Sequence, residues 1–174
     1  MTGALGRVRI HDGYLTADQI LNNYEAEAEH YADKPEVEIG GELLVDLTAE
    51  DIDEQIGRPV RSWTNRGTLG DFILPQDSTR APILDRYGFA RGVTFSDMND
   101  ALILDGALPE ALQGDSSWTV EVWAYNPTDD GLETAVAFGD RPWEVAEFEL
   151  GGDLSFVTYE AGDAPWSGGI PPLE

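Results

Sequence analysis

Residues 6–24 read GRVRIHDGYLTADQILNNY, and this stretch alone spells a strand, a turn and a capped helix. Val8 and Ile10 alternate with Arg7, Arg9 and His11, the period-two pattern of a strand with one apolar face. Asp12-Gly13 marks a tight turn. Thr16 followed by Gln19 is a capping-box signature, and Ile20, Leu21 and Tyr24 fall on one side of the helix that it starts. Ala26, Ala28 and Tyr31 extend that helix to about Tyr31, where Asp33-Lys34-Pro35 stops it. Residues 25–41, EAEAEHYADKPEVEIGG, are acidic and end in two glycines, and they read as a linker.

Beyond the linker the chain breaks into short apolar runs separated by turn chemistry, the sequence signature of a sandwich or jelly roll. Strands are expected at 43–47, 60–63, 71–74, 92–95, 101–104, 119–126, 134–139, 144–150 and 154–160. Short helical turns are expected at 48–56 and 109–112. Trp118, Val120 and Val122 share one face of their strand, and Thr119, Glu121 and Trp123 the other. A wholly solvated face would not carry Trp123, so this strand reads as central and covered on both sides. The expected core is Val45, Phe95, Leu102, Leu104, Val120, Val122, Val136, Phe138 and Phe156.

The opening segment resembles the closing strand and helix of the LamG-like jelly rolls, within the laminin G and concanavalin A-like lectin superfamily, with Leu15, Thr16, Ile20 and Tyr24 in the signature positions. The later segments resemble the N-terminal half of the same family. Trp63, Asn65 and Gly67 fill its Trp-x-Asn-x-Gly turn, and Trp118 to Trp123 its aromatic core strand. The resemblance implies an all-β, antiparallel jelly-roll β-sandwich of concanavalin A-like type with one short N-terminal helix. It divides the chain into a closing strand and helix (1–24), an acidic linker (25–41) and the N-terminal portion of a sandwich (42–174). It further implies a fragment of a larger multidomain protein at the cell surface or outside the cell, with neighbouring domains of the same parent chain as partners. An orphaned Val8–Ile10 face would leave an open edge, so the first strand is expected to dock on the sandwich that follows.

Charge narrows the partners. The 174 residues hold 34 Asp and Glu against 10 Lys and Arg, a formal net charge of −24, and Lys34 is the single lysine. Such a surface repels phosphate, which argues against nucleic acid and anionic membranes. An acid-rich, lysine-poor coat fits a saline setting, divalent-cation binding or simple solubility. Hydrophobic residues make up 41% of the chain, enough for a core, and the absence of cysteine excludes disulfides and thiolate metal sites. Neither a signal peptide nor an apolar run long enough for membrane insertion is visible.

Three constellations bear on chemistry. In EVAEFE, residues 144–149, Glu147 and Glu149 share a strand face. Jelly-roll β-glucanases carry a Glu-x-Asp-x-Glu strand, and Val145 stands where the third carboxylate is needed, so the segment reads as a solvated strand face and the chain as no enzyme. In SDMNDALIL, Asp97, Asn99 and Asp100 offer oxygens to calcium, which takes about six to eight. Asp and Asn are equally the residues of tight turns. Trp143, Tyr159 and Trp166 lie outside the core pattern, either as stacking platforms for a glycan or as covers for an open sheet end. His11 and His30 stand without a Ser or Cys nucleophile beside them. The reading is a non-catalytic carbohydrate-binding or adhesion module that recognises a glycan or cell-surface polysaccharide. A structural spacer without a small ligand, or a fragment of a carbohydrate-active enzyme, are the alternatives.

Overall fold

The computed structural model describes residues 3–28, 38–76, 78, 80–96, 100–104, 107, 109–112, 116–125, 133–139, 145–150, 155–158 and 164–165. Strand β1 (Gly3–His11) leads into helix α1 (Ala17–Ala28), then β2 (Leu43–Thr48), β3 (Ser62–Trp63), β4 (Phe72–Ile73), β5 (Ile83–Tyr87), β6 (Ala90–Phe95), β7 (Thr119–Tyr125), β8 (Glu133–Gly139), β9 (Val145–Leu150), β10 (Ser155–Thr158) and β11 (Ala164–Pro165). Single 3-10 turns at Ala49–Asp51 and Glu110–Leu112 fall inside the two stretches expected to turn helically. The protein is therefore all-β and antiparallel with one short helix.

β1 docks in the middle of the first sheet. One edge lies against β7, from Ala4↔Tyr125 to His11↔Thr119, with a register shift between Leu5 and Arg7. Its other edge is shared, with Gly3 to Leu5 paired to β6 and Arg7 to His11 paired to β2, while β5 pairs with the far side of β6. β8 to β11 form a second sheet in chain order. Ala135 and Val136 of β8 pack on the core of the first sheet, giving a sandwich-like arrangement.

Local chemistry accounts for several elements. The Thr16 amide donates to Gln19 Oε1 at 2.8 Å and the Gln19 amide to Thr16 Oγ1 at 3.3 Å, a reciprocal capping box that starts α1. β5 and β6 form a hairpin through Gly88, whose φ of 63° is the left-handed conformation that a two-residue hairpin turn requires. β5 escapes the sequence reading because Asp85 and Arg86 interrupt its apolar run, yet Leu84 is fully buried. The expected strand at 101–104 reduces to one bridge, Ile73↔Ile103. β7 is half-buried on both faces as expected, but among the described residues it pairs with β1 alone and is an edge strand, not a central one.

The core centres on β1, β2, β6 and Trp63: Leu5, Val8, Ile10, Leu44, Val45, Leu47, Trp63, Leu84, Val93 and Phe95 are all buried. Of the expected core, Val45 and Phe95 lie within it, and Leu102, Val120, Val122 and Val136 pack against it half-buried. Leu104 is also half-buried, and the side chains of Phe138 and Phe156 lie outside the described residues.

The Trp-x-Asn-x-Gly turn is a clamp on the outer edge of β2. Trp63 Nε1 donates to the Thr48 carbonyl at 2.9 Å. Asn65 Oδ1 accepts from the Asp46 amide at 2.8 Å, and its Nδ2 donates to the carbonyls of Leu44 at 3.0 Å and Leu69 at 2.8 Å. Three further backbone bonds, from Arg66, Thr68 and Leu69 to Asp46, Leu43 and Leu44, complete the edge. An edge that would otherwise be open is thereby satisfied.

Candidate functional site

The polar face of β1 is not solvated. Arg7, Arg9 and His11 alternate toward one side of the sheet, and register sets Asp46 and Glu121 on either side of Arg9. Helix α1 then lies over this face and adds Asn23 and Glu27, one turn apart. Arg9 is 1% exposed, His11 0% and Glu27 5%, Arg7 and Asn23 are buried with them, and Asp46 and Glu121 are half-buried at the margin. The helix meets the sheet through Asn23 and Glu27, with Tyr24 beside them, and not through the aliphatic residues that the sequence reading singled out. Ile20 and Leu21 stay exposed, at 45% and 53%, while the cationic surface beneath the helix takes carboxylate and amide groups.

The network closes on two carboxylates. Glu27 pairs with both Arg7 and Arg9, and its Oε2 accepts from Trp123 Nε1 at 2.8 Å. Tyr24 stacks on the same indole, with centroids 5.4 Å apart and planes 8° from parallel. Glu121 Oε2 accepts from Arg9 Nη1 at 2.8 Å and from His11 Nε2 at 3.1 Å. Asn23 Nδ2 donates to both Glu121 oxygens at 3.2 and 3.3 Å, while its Oδ1 accepts from the Glu38 amide at 3.1 Å. His11 Nδ1 accepts from the Gly40 amide at 3.4 Å. With Nδ1 accepting there, Nε2 is the ring nitrogen that faces Glu121. Two guanidinium charges meet two carboxylates, with Asp46 at the margin, 3.8 Å from Arg7 Nε.

Burial raises the Glu121 pKa, but the His11 hydrogen bond, the Arg9 charge and the Asn23 hydrogen bond together outweigh it and hold the carboxyl below its ordinary value. A carboxyl with a depressed folded-state pKa adds stability above its unfolded pKa, about 4.3, and that stability is lost as pH falls through the folded value. Melting temperature is therefore expected to fall on acidification below about pH 4, with Glu121→Gln flattening part of that limb. An acid limb identical in the variant and the parent, recorded by circular dichroism, would contradict the assignment.

This layer fastens α1, Glu38 and Gly40 to the sheet. Elsewhere the surface has an open cleft of about 320 Å³, lined among the described residues by Arg61, Leu74, Ser78, Arg80, Ser96 and Asp100. Its walls are tied together by backbone bonds: Val60 to Pro82 at 2.8 Å, Leu74 to Arg61 at 2.9 Å and Leu84 to Arg58 at 3.0 Å.

Of the residues singled out from sequence, Asp100 lines this cleft. One of its oxygens accepts from the Ser96 amide at 3.0 Å, the usual service of Asp in a tight turn. Asp97, Asn99, Trp143, Tyr159 and Trp166 lie outside the described residues. The described residues contain no group of three His, Cys, Asp or Glu side chains arranged to hold a metal. Glu147 and Glu149 sit two apart on β9, paired with Ala137 and Thr134 of β8. Sequence reasoning missed the cleft because its lining comes from separate segments, although Arg61 and Arg80, as rare bases in an acidic chain, were visible signals.

Comparison with protein-family models, with curated proteins and with solved structures finds no match to this chain. No helix among the described residues is long and apolar enough to cross a membrane.

Proposed function

We propose that this chain is a non-catalytic carbohydrate-binding or adhesion module of a larger, multidomain surface protein, wired as a LamG-like jelly roll. The observation that carries the reading is the cleft. It has the size of a small-ligand site, a floor tied by backbone hydrogen bonds, and a lining that mixes hydroxyl, guanidinium, carboxylate and aliphatic groups, the combination that engages both the hydroxyls and the C–H faces of a sugar. Among the described residues the buried cluster of ionisable groups under α1 serves packing, and the β9 carboxylates number two where a glucanase strand places three.

A structural spacer is the second reading, favoured by the ion layer, which binds the chain only to itself. A glycan array probed with the full chain separates the two. Reproducible binding to a glycan class is expected, and uniform silence would favour the spacer. Hydrolysis of any bound polysaccharide that disappears in a Glu147→Gln, Glu149→Gln double variant would overturn the non-catalytic assignment.

A further inference from the structure

The strongest ion pairs of this protein and its excess charge lie in different places. Glu27 pairs with Arg7 and Arg9, and Glu121 with Arg9, all inside the layer under α1, where Glu27 and both arginines are buried. Two guanidiniums and two carboxylates balance there. The rest of the chain keeps 32 acids and 8 bases, and with them the full net charge of −24. Part of that excess is visibly in water. Glu50, Asp51, Asp53 and Glu54 are all exposed within five residues of the turn after β2, so their Cα atoms lie within about 15 Å of one another. Arg66 reaches Asp51 from outside the turn, and Arg91 donates to the backbone carbonyls of Glu50, Ile52 and Glu54. Glu25 on α1 and Glu42 before β2 are exposed as well.

We propose that the fold is tightened by dissolved salt and loosens as salt is withdrawn, because its attractive charges are buried and its repulsive ones are exposed. Exposed charges feel one another over the Debye length, about 30 Å at 0.01 M salt and about 3 Å at 1 M. At low salt the carboxylates of the turn after β2 therefore repel one another across its whole extent, and the net charge of −24 adds a repulsion that favours expansion. Molar salt removes both. The pairs under α1 are shielded from ions and are screened much less, so the same salt leaves the clasp between helix and sheet in place. The Arg66–Asp51 pair, with side chains 53% and 27% exposed, is an attraction that salt does weaken, and surface pairs of this kind contribute little. Salt thus acts in one direction. Of the settings that an acidic, lysine-poor coat fits, this favours saline surroundings, and the behaviour is the same whether the module binds a glycan or only spaces its neighbours.

Thermal unfolding of the full chain in sodium chloride from about 10 mM to about 1 M, followed by circular dichroism, provides the test. The melting temperature is expected to rise by at least about 8 °C, most of it below about 0.5 M, where the Debye length has already fallen to about 4 Å. A variant carrying Glu25→Gln, Glu42→Gln, Asp53→Asn and Glu54→Gln together should melt higher than the parent at the lowest salt. Its salt-driven rise should be about a third smaller, because mutual repulsion scales with the square of the net charge. Glu121→Gln, inside the layer, should lower the melting temperature by a similar amount at every salt concentration. A melting temperature that stays flat or falls with salt would overturn the proposal. So would a rise that the four-fold variant retains in full, since salt would then act on apolar surface and not on charge. A Glu121→Gln deficit that vanishes in molar salt would show the layer to be screened like the surface, and a rise completed by micromolar calcium would put a metal site in the place of screening; either overturns it as well.

Discussion

Replacing Glu27 with alanine is expected to destabilise the protein by about 3–5 kcal/mol, the cost of removing one partner from a buried ion pair. Two guanidiniums point at this carboxylate from β1, and the Trp123 indole donates to it as well. Alanine leaves Arg7 and Arg9 beneath a helix that keeps them from water, with Glu121 and the marginal Asp46 as the remaining counter-charges. A typical domain has only about 5–15 kcal/mol of stability, so the loss would bring the chain close to unfolding at room temperature. Urea denaturation followed by tryptophan fluorescence reads it as a fall in the midpoint. A shift worth less than about 1 kcal/mol would mean that the layer behaves like an exposed ion pair, and that α1 does not stay closed over the sheet. Replacing Arg7 and Arg9 with methionine and Glu27 with leucine together is expected to recover part of the loss, because apolar side chains need not be desolvated as ions.

The second large effect is expected at Gly67. A methyl group there would fall on the Leu44 carbonyl oxygen and within 2.8 Å of the Leu43 oxygen, so the obstacle is backbone on both counts and cannot rotate away. Gly67→Ala must push the 65–69 loop off β2 and weaken its bonds to Leu43, Leu44 and Asp46. Strain and lost hydrogen bonds together give about 2–4 kcal/mol. Asn65→Ala should cost a similar amount by leaving the Asp46 amide and the Leu44 and Leu69 carbonyls without their partners. Because both substitutions open one clamp, the double variant should lose clearly less than the sum of the two. Full additivity in thermal or urea denaturation would show that Asn65 and Gly67 act separately.

The Asn65 turn was legible as a motif before its purpose was. Its residue types are dictated locally: an amide side chain that both donates and accepts, and a position with no room for a Cβ. The Thr16–Gln19 capping box was legible for the same reason, since its partners lie three residues apart. The cleft was not, because Arg61, Ser78, Arg80 and Asp100 reach it from different segments, and spacing along a chain carries no trace of such a meeting.

β1 marks the boundary between what sequence and tertiary structure each decide. Alternation of Val8 and Ile10 with Arg7, Arg9 and His11 determined by itself that this is a strand with two unlike faces, since side chains in extended backbone must point to opposite sides. The expectation of docking followed from the unpaired edge, and the segment does dock. Alternation does not say whether the polar face meets water or protein. That was decided by Glu27 arriving on the helix and Glu121 arriving on β7, 112 residues from Arg9. A buried arginine is stable only when carboxylates are delivered to it in register, and delivery across such a distance is a property of the folded chain alone.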